Sequence, residues 1–335
     1  MKLPFSFLAL FALAAACSIH AETGGEPRLA DFDDPFPLKF FTFRSQQQSL
    51  EMAYMDLSPK GRDLGSVVLL HGKNFSGAYW QETAEALAAT GYRVIMPDQI
   101  GFGKSSKPAH YQFTFQQLAT NTHALLESLG IKRANILGHS MGGMIAARYA
   151  LMFPDAVTTL TLTNPLGLED WKAKGVPYTS IDAAYQQELK QTPAKIREYQ
   201  RQNYYDGKWQ PAYDRWVEML THFTASPDYS RMAWNQALTS EMIYTQPVVY
   251  EFPQISSPTL LIIGQRDRTA PGRNFAPADR RDALGDYPKL GRAAAAAIPH
   301  AKLIELDGLG HLPQIEAFAR FITPLKEFLA EHAGR

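Results

Sequence analysis

The period of the hydrophobic positions changes several times along this chain, and each change marks an element. Residues 38–43 and 50–57 have strand-like spacing, the second reading as a strand paired antiparallel to its neighbours. Val67-Val68-Leu69-Leu70 is short and wholly apolar, the mark of a strand buried on both faces. The chain then alternates. Trp80, Ala84, Leu87 and Ala88 form a helical face, and Val94-Ile95-Met96 is a second buried strand. Phe115, Leu118, Thr122, Leu125, Leu126 and Leu129 predict a helix stopped by Gly130. A strand at Ile136, a helix carrying Met144, Ile145, Arg148, Tyr149 and Met152, and a strand at Leu160-Thr161-Leu162 follow. After a break come strands at 260–263 and 303–306, then a last helix carrying Ile315, Phe318, Ile322, Leu325 and Leu329. Strands alternating with helices predict an α/β fold, a mostly parallel sheet with helices on both faces.

In the break, residues 165–253, the alternation stops. This stretch has no buried-strand signature, yet it holds four of the five tryptophans (Trp171, Trp209, Trp216 and Trp234) and nine of the tyrosines. It reads as helices and loops, a helical lid inserted after the strand ending at Thr163. Two readings of the aromatics stand side by side: they form the lid's own core, or some of them line a substrate pocket. The predicted organisation is therefore a core of residues 38–164 and 254–335 with a lid of 165–253. The stretch 22–37 precedes the core as a polar, proline-bearing extended leader.

The 335 residues, 45% hydrophobic and 20% charged, suit one large domain with an inserted lobe. Lys+Arg and Asp+Glu are both 33, and no basic run is present, which argues against a nucleic-acid partner. At the N-terminus, Lys2 followed by the apolar residues 3–16 reads as a signal peptide, too short to span a bilayer. Cleavage after Ile19-His20-Ala21 would leave Glu22 first and no transmembrane segment, in a periplasmic or secreted protein. A second reading takes Leu13-Ala14-Ala15-Ala16-Cys17 as resembling a bacterial lipoprotein box with a lipid anchor on Cys17. Ala14 stands there where leucine is usual, and soluble export is preferred. Cys17 is the only cysteine, so the exported form would carry no disulfide or thiolate site.

Candidate chemistry centres on Gly138-His139-Ser140-Met141-Gly142, a Gly-x-Ser-x-Gly between a strand and a helix. Such a turn exposes the serine in a strained conformation that the flanking glycines permit. The N–H groups of the following helix face the oxyanion that forms when serine attacks a carbonyl. A serine nucleophile needs a base, a group orienting the base and oxyanion donors. His311, in Gly308-Leu309-Gly310-His311, lies between the last strand and the last helix, and Asp267 lies just past the preceding strand. In a parallel sheet these strand ends share one edge, and the order Ser140, Asp267, His311 suits a hydrolase of this architecture. His71-Gly72-Lys73-Asn74 begins where the strand 67–70 ends, so the backbone N–H of Lys73, with that of Met141, is the expected oxyanion pair. Asn74, His139 and the lid residues Trp171, Trp209, Trp216 and Trp234 are candidate substrate contacts. For His139, beside the serine, a packed turn residue is the competing reading. The remaining histidines lack metal-ligand spacing, so neither a metal nor a cofactor is expected.

His71-Gly72, Asp98-x-x-Gly101-x-Gly103-x-Ser105, Gly138-x-Ser140-x-Gly142, Gly264-x-x-Asp267 and Gly310-His311 together resemble the α/β-hydrolase superfamily, specifically its lid-bearing serine members (esterases and lactonases). The motifs run in family order and the resemblance covers residues 67–329. It implies an eight-stranded, mostly parallel sheet and a serine hydrolase, which the predicted signal peptide makes an exported one. The net-neutral charge and the aromatic lid favour a small, rather apolar ester, thioester or lactone as its substrate. The resemblance also implies a structural role for His71 and for Ser105 in its turn. Members that hydrolyse epoxides or carbon–halogen bonds carry aspartate at the elbow, and serine here argues against both. Proline is common where Asn74 stands, and residues 271–290 form an extra polar loop that would border the site. Glu169 and Asp170 follow an earlier strand where some relatives place the acid, so they remain alternatives to Asp267. The same triad would also serve an amidase or aminopeptidase, although the iminopeptidase branch usually has tryptophan where Met141 stands. A carbon–carbon hydrolase would use it as well, and a non-catalytic binding protein is a third class, disfavoured by the intact triad.

Overall fold

Three strands consist of buried residues throughout, β3 (Ser66–Leu70), β5 (Ala134–His139) and β7 (Thr259–Gly264), and in β6 (Val157–Thr163) every residue but Thr158 is buried. Their side chains alternate between two cores, as the period-2 geometry of a strand requires. Val68, Leu70, Leu261 and Ile263 enter one core, and Val67, Leu69, Leu260 and Ile262 the other. These strands lie inside an eight-stranded sheet of order β1-β2-β4-β3-β5-β6-β7-β8, with β1 at Leu38–Ser45, β2 at Gln48–Leu57, β4 at Arg93–Pro97 and β8 at Ala301–Leu306. The pairs β1–β2 and β2–β4 are antiparallel, and every other pair is parallel. The computed structural model describes residues 28, 32–227 and 229–333. The predicted signal peptide 1–21 and Cys17 lie outside the described residues, as does most of the leader. Its described part is tied to the core: Phe32 is buried, and Lys104 donates to its carbonyl at 2.8 Å.

Helices α1 (Gln81–Thr90), α2 (Phe115–Ser128) and α3 (Met141–Met152) lie between the first parallel strands. Thr114 caps α2 by accepting the Gln117 N–H, and Gly130 stops it in the left-handed region at φ +71°, which suits a residue without Cβ. Between β6 and β7 the chain forms four helices: α4 (Ile181–Glu188), α5 (Pro193–Asn203), α6 (Asp214–Ala225) and α7 (Tyr229–Thr245). Here α4 packs on α7, and α6 packs on both α5 and α7. After β7 come α8 (Ala278–Arg281) and α9 (Tyr287–Ala297), and after β8 come α10 (Pro313–Glu316) and α11 (Phe318–Glu331). One face of the sheet packs on α2, α3 and α9, and the other on α1 and α11. The final helix differs from the single element its spacing predicts. It breaks at Ala317 (φ −151°), where the preceding Glu316 turns back to accept the Gly310 N–H at 2.6 Å and pairs with Arg266 at 2.9 Å.

Backbone packs closely against backbone where β5 meets α3. A Cβ added to Gly142 would stand 2.2 Å from the Leu70 carbonyl oxygen, and one on Gly138 would stand 2.1 Å from the Gly142 carbonyl oxygen. Both obstacles are backbone, so neither can swing aside as a flexible side chain would. Gly142→Ala is therefore expected to lower stability by about 3 kcal/mol or more, the upper range for overpacking. Urea denaturation tests this. The midpoint should fall with an unchanged slope, and a loss below about 1 kcal/mol would mean the strand end yields easily.

Candidate active site

Ser140 sits between β5 and α3 with φ +56° and ψ −123°, a combination sparsely populated by L-residues and costing on the order of 1–3 kcal/mol. Hydrogen bonds hold the turn from three directions. The Ser140 N–H donates to Thr163 O at 3.3 Å, and its carbonyl accepts from Gly143 N at 2.9 Å and Leu166 N at 3.0 Å. Met141 opens α3, so its N–H is among those a helix cannot pair internally. The loop after β3 lies against the serine, since a Cβ on Gly72 would come within 3.0 Å of Ser140 Cβ. Lys73 and Asn74, the next two residues, border the same cavity as Ser140.

His311 and Asp267 meet at the same sheet edge. The His311 Nδ1–H donates to Asp267 Oδ2 at 2.6 Å, with both side chains buried. Asp267 is fixed by two further donors, Asn164 Nδ2 at 2.8 Å to Oδ2 and the Thr269 N–H at 2.8 Å to Oδ1. Glu169 and Asp170 are engaged elsewhere. Glu169 accepts from Trp171 Nε1 and Gly285 N and pairs with Lys174, while Asp170 accepts from the Lys172 and Ala173 N–H groups and from Tyr250. Asn164 was not singled out from the sequence. It follows β6 at φ +37°, its Oδ1 accepts the Gly264 N–H at 2.9 Å, and its amide thereby joins the end of β7 to Asp267. A lone amide directly after a buried strand was the available signal.

Two buried histidines brace this edge in the neutral form. His71 donates from Nδ1 to Gly72 O at 2.8 Å and accepts the Gln99 N–H on Nε2 at 2.9 Å, and burial pushes its pKa down to about 4. His139 must donate from Nε2 to the His311 carbonyl at 2.8 Å, which leaves Nδ1 to accept from the Tyr79 hydroxyl at 3.0 Å. The Tyr79 oxygen in turn accepts the Gly72 N–H at 3.0 Å. Burial first, and the neighbouring His311 second, hold His139 well below the ordinary histidine range. His139 is fully buried and does not border the cavity, in keeping with the packed turn residue rather than the substrate contact: it ties the loop after β3 to the loop bearing His311.

A cavity of about 320 Å³ adjoins Ser140. Its apolar wall includes Leu166, Ile196, Leu220, Phe223, Met232 and Ile243, and its polar wall Lys73, Glu188, Gln200, Gln236 and Ser240. Pro271 and Gly272 of the polar loop also border it, and Asn74 is the one predicted substrate contact found there. Of the two readings of the four tryptophans, their surroundings favour a structural role, for none borders this cavity. The indole N–H groups of Trp171, Trp209 and Trp234 are taken by Glu169, Asp214 and the Ala109 carbonyl. Trp216 packs edge-on against Phe75 and Tyr79. Their large rings are better buried among protein partners that satisfy the indole than left at a wet wall.

Tyr204, after α5, was missed and is central. Its ring stacks on His311 with centroids 4.9 Å apart, its carbonyl accepts the His311 N–H at 2.9 Å, and its hydroxyl accepts from Asn74 Nδ2 at 2.9 Å. Burial holds its phenol well above the usual range, so the group stays a neutral O–H. Among the described residues, no group of three or more His, Cys, Asp or Glu could hold a metal ion, and no helix is long and apolar enough to cross a membrane.

A parallel sheet with a strained serine at one strand end and a histidine–aspartate pair at two others defines a hydrolase class. The chain belongs to the α/β hydrolase fold family, whose model matches residues 65–318. A solved structure from Pseudomonas aeruginosa PAO1, described as a probable hydrolytic enzyme, is 52% identical and superposes with a TM-score of 0.88, covering 89% of this chain and 96% of that one. Lipase 1 of Psychrobacter immobilis is 27% identical over 268 residues, 78% of this chain and 76% of its own length. A 2-hydroxy-6-oxononadienedioate/2-hydroxy-6-oxononatrienedioate hydrolase of Paraburkholderia phymatum is 27% identical over 271 residues, 79% of this chain and 87% of its own.

The buried histidines give the fold a pH dependence with a defined sign. The unfolded chain takes up a proton on each near pH 6.5, whereas folded His71 does so only near 4. Between these values the unfolded state holds more protons, so stability is full above about 6.5 and is lost as pH falls toward 4. His71 contributes about 3 kcal/mol to that loss, and His139 adds in the same direction. Urea midpoints measured from pH 7 to 4.5 should fall steadily. A flat profile would show that both rings accept protons within the fold.

Proposed function

We propose that this chain is an exported serine hydrolase that cleaves a small ester, thioester or lactone through Ser140, His311 and Asp267. The observation that carries the reading is the 2.6 Å Asp267–His311 pair at the sheet edge that also bears a strained serine beside a cavity. With Nδ1–H committed to Asp267, neutral His311 keeps its lone pair on Nε2 for the Ser140 proton. Ser140 Oγ then bonds to the substrate carbonyl carbon, and the N–H groups of Lys73 and Met141 receive the oxyanion, each donor contributing about 3 kcal/mol. Collapse expels the alcohol or thiol, which takes the proton from His311. Water, deprotonated by the same ring, releases the acid from the acyl-enzyme.

Helices α4 to α7 act in this reading as a lid over the acyl group, whose aliphatic part packs on the wall formed by Ile196, Leu220, Phe223 and Met232. At about 25 cal/mol per Å² of apolar surface, a C4–C8 chain gains a few kcal/mol there. The name of the Psychrobacter relative supports an ester substrate. A second reading keeps the triad and changes the scissile bond to carbon–carbon, and the name of the Paraburkholderia relative is what favours it. Residues 1–21 serve as the export signal, placing the mature chain in the periplasm or the medium.

Ser140→Ala should keep the fold, lose fluorophosphonate labelling and retain at most about 10³-fold acceleration over water. Near-normal turnover by the folded variant would remove the serine from the mechanism. Asp267→Asn should lower kcat by about 10⁴-fold. A panel of p-nitrophenyl esters, lactones and vinylogous diketones, assayed with these variants, separates the two bond types.

A further inference from the structure

The loop proposed to carry the oxyanion donor is attached to the helical insertion by the side chains of both its residues. Lys73 Nζ donates to Gln236 Oε1 on α7 at 2.9 Å and pairs with Glu188 Oε1, the last residue of α4, at 3.3 Å. The ion pair is sheltered, its side chains being 17% and 21% exposed. The Tyr229 hydroxyl donates to the Glu188 carbonyl at 2.7 Å, which locks the end of α4 to the start of α7. Asn74, the next residue, is held by Tyr204 at the end of α5.

We propose that Glu188 is a positioning residue for the hydrolytic reaction: through the Lys73 ammonium it sets the backbone N–H of Lys73 in the place where the oxyanion forms. The inference rests on the serine-hydrolase reading above. A loop residue whose N–H must meet a developing charge gains most from being fixed before the reaction, because an ångström of drift forfeits much of the stabilisation. The ground-state carbonyl gains far less from the same donor. Loss of the tether therefore lowers kcat and leaves substrate binding nearly unchanged. Gln236 supplies a second acceptor to the same ammonium, so the tether is anchored on two helices rather than one.

The experiment compares the full chain with Glu188→Leu, Glu188→Gln, Lys73→Met and the double variant Glu188→Leu/Lys73→Met on p-nitrophenyl butanoate, with fluorophosphonate inactivation measured in parallel. Lys73→Met keeps the backbone N–H and removes only the ammonium. The expected result for Glu188→Leu is a kcat about tenfold lower with KM within about twofold, and inactivation slowed by the same factor. Glu188→Gln, which retains the acceptor oxygen, should recover to within about threefold of the parent. The double variant should be no slower than Lys73→Met alone, as two members of one tether require. A kcat within twofold in Glu188→Leu overturns the proposal. So does a loss confined to KM, which would make the pair a substrate contact, or an additive double variant. Should Glu188→Leu not fold, the Glu188→Gln and Lys73→Met pair gives the same decision. Failure of the underlying reading looks different: the parent itself would then turn over without being labelled at Ser140.

Discussion

Backbone runs against backbone where β5 becomes α3, and that steric limit governs the site. With no room for a Cβ at position 142, the first turn of α3 sits directly on the end of β3, and the chain leaving β5 must reverse within one residue. Ser140 absorbs the reversal at φ +56°. The conformation persists because Thr163, Gly143 and Leu166 all bond to its peptide groups, and these come from β6, from α3 and from the start of the insertion. A strained residue survives only when its surroundings over-determine it. Here the surroundings are the parallel sheet itself, whose central strands are buried on both sides.

Much of this was legible in the chain, for physical reasons. Doubly buried parallel strands need short, wholly apolar runs, and Val67-Val68-Leu69-Leu70 or Leu260-Leu261-Ile262-Ile263 can be little else. Ser140, Asp267 and His311 stand out because each follows a predicted strand, and strand ends of a parallel sheet gather at one edge. Asn164 and Tyr204 did not stand out. Asn164 bonds to Asp267 across 103 positions, and Tyr204 reaches Asn74 across 130, so no local pattern announces either contact. The tryptophans left two readings open because their size suits a pocket or a core, and an indole also carries an N–H that needs a partner. Three of the four found one within protein. Gln236 and Ser240, four positions apart on α7, border the cavity, and no apolar or motif pattern in the chain points to them.

The titratable groups behind the site follow one logic, which is that His71, His139 and Asp267 are each given partners suited to their protonation state. His71 and His139 are neutral, and each offers one donor and one acceptor to matched neighbours. Asp267, an acceptor at both oxygens, receives three donors. Charge is thus kept to few positions in a region where an unpaired charge would be costly. The mobile protons of the proposed reaction are left to His311.

Tyr204 has a consequence for how such molecules can change over time. The region between β6 and β7 looks like an exchangeable module, because it begins and ends at adjacent strands of the sheet. Yet one of its residues covers the ring of His311, bonds to that residue's backbone and holds Asn74. A recombinant that received a foreign helical segment here would inherit a new pocket and lose the support of its histidine in the same event. Drift of the pocket wall one residue at a time, at positions such as Ile196 or Leu220, leaves that support in place. Substrate range in this lineage should therefore diversify by point substitution within the segment, with residue 204 staying aromatic, rather than by wholesale exchange.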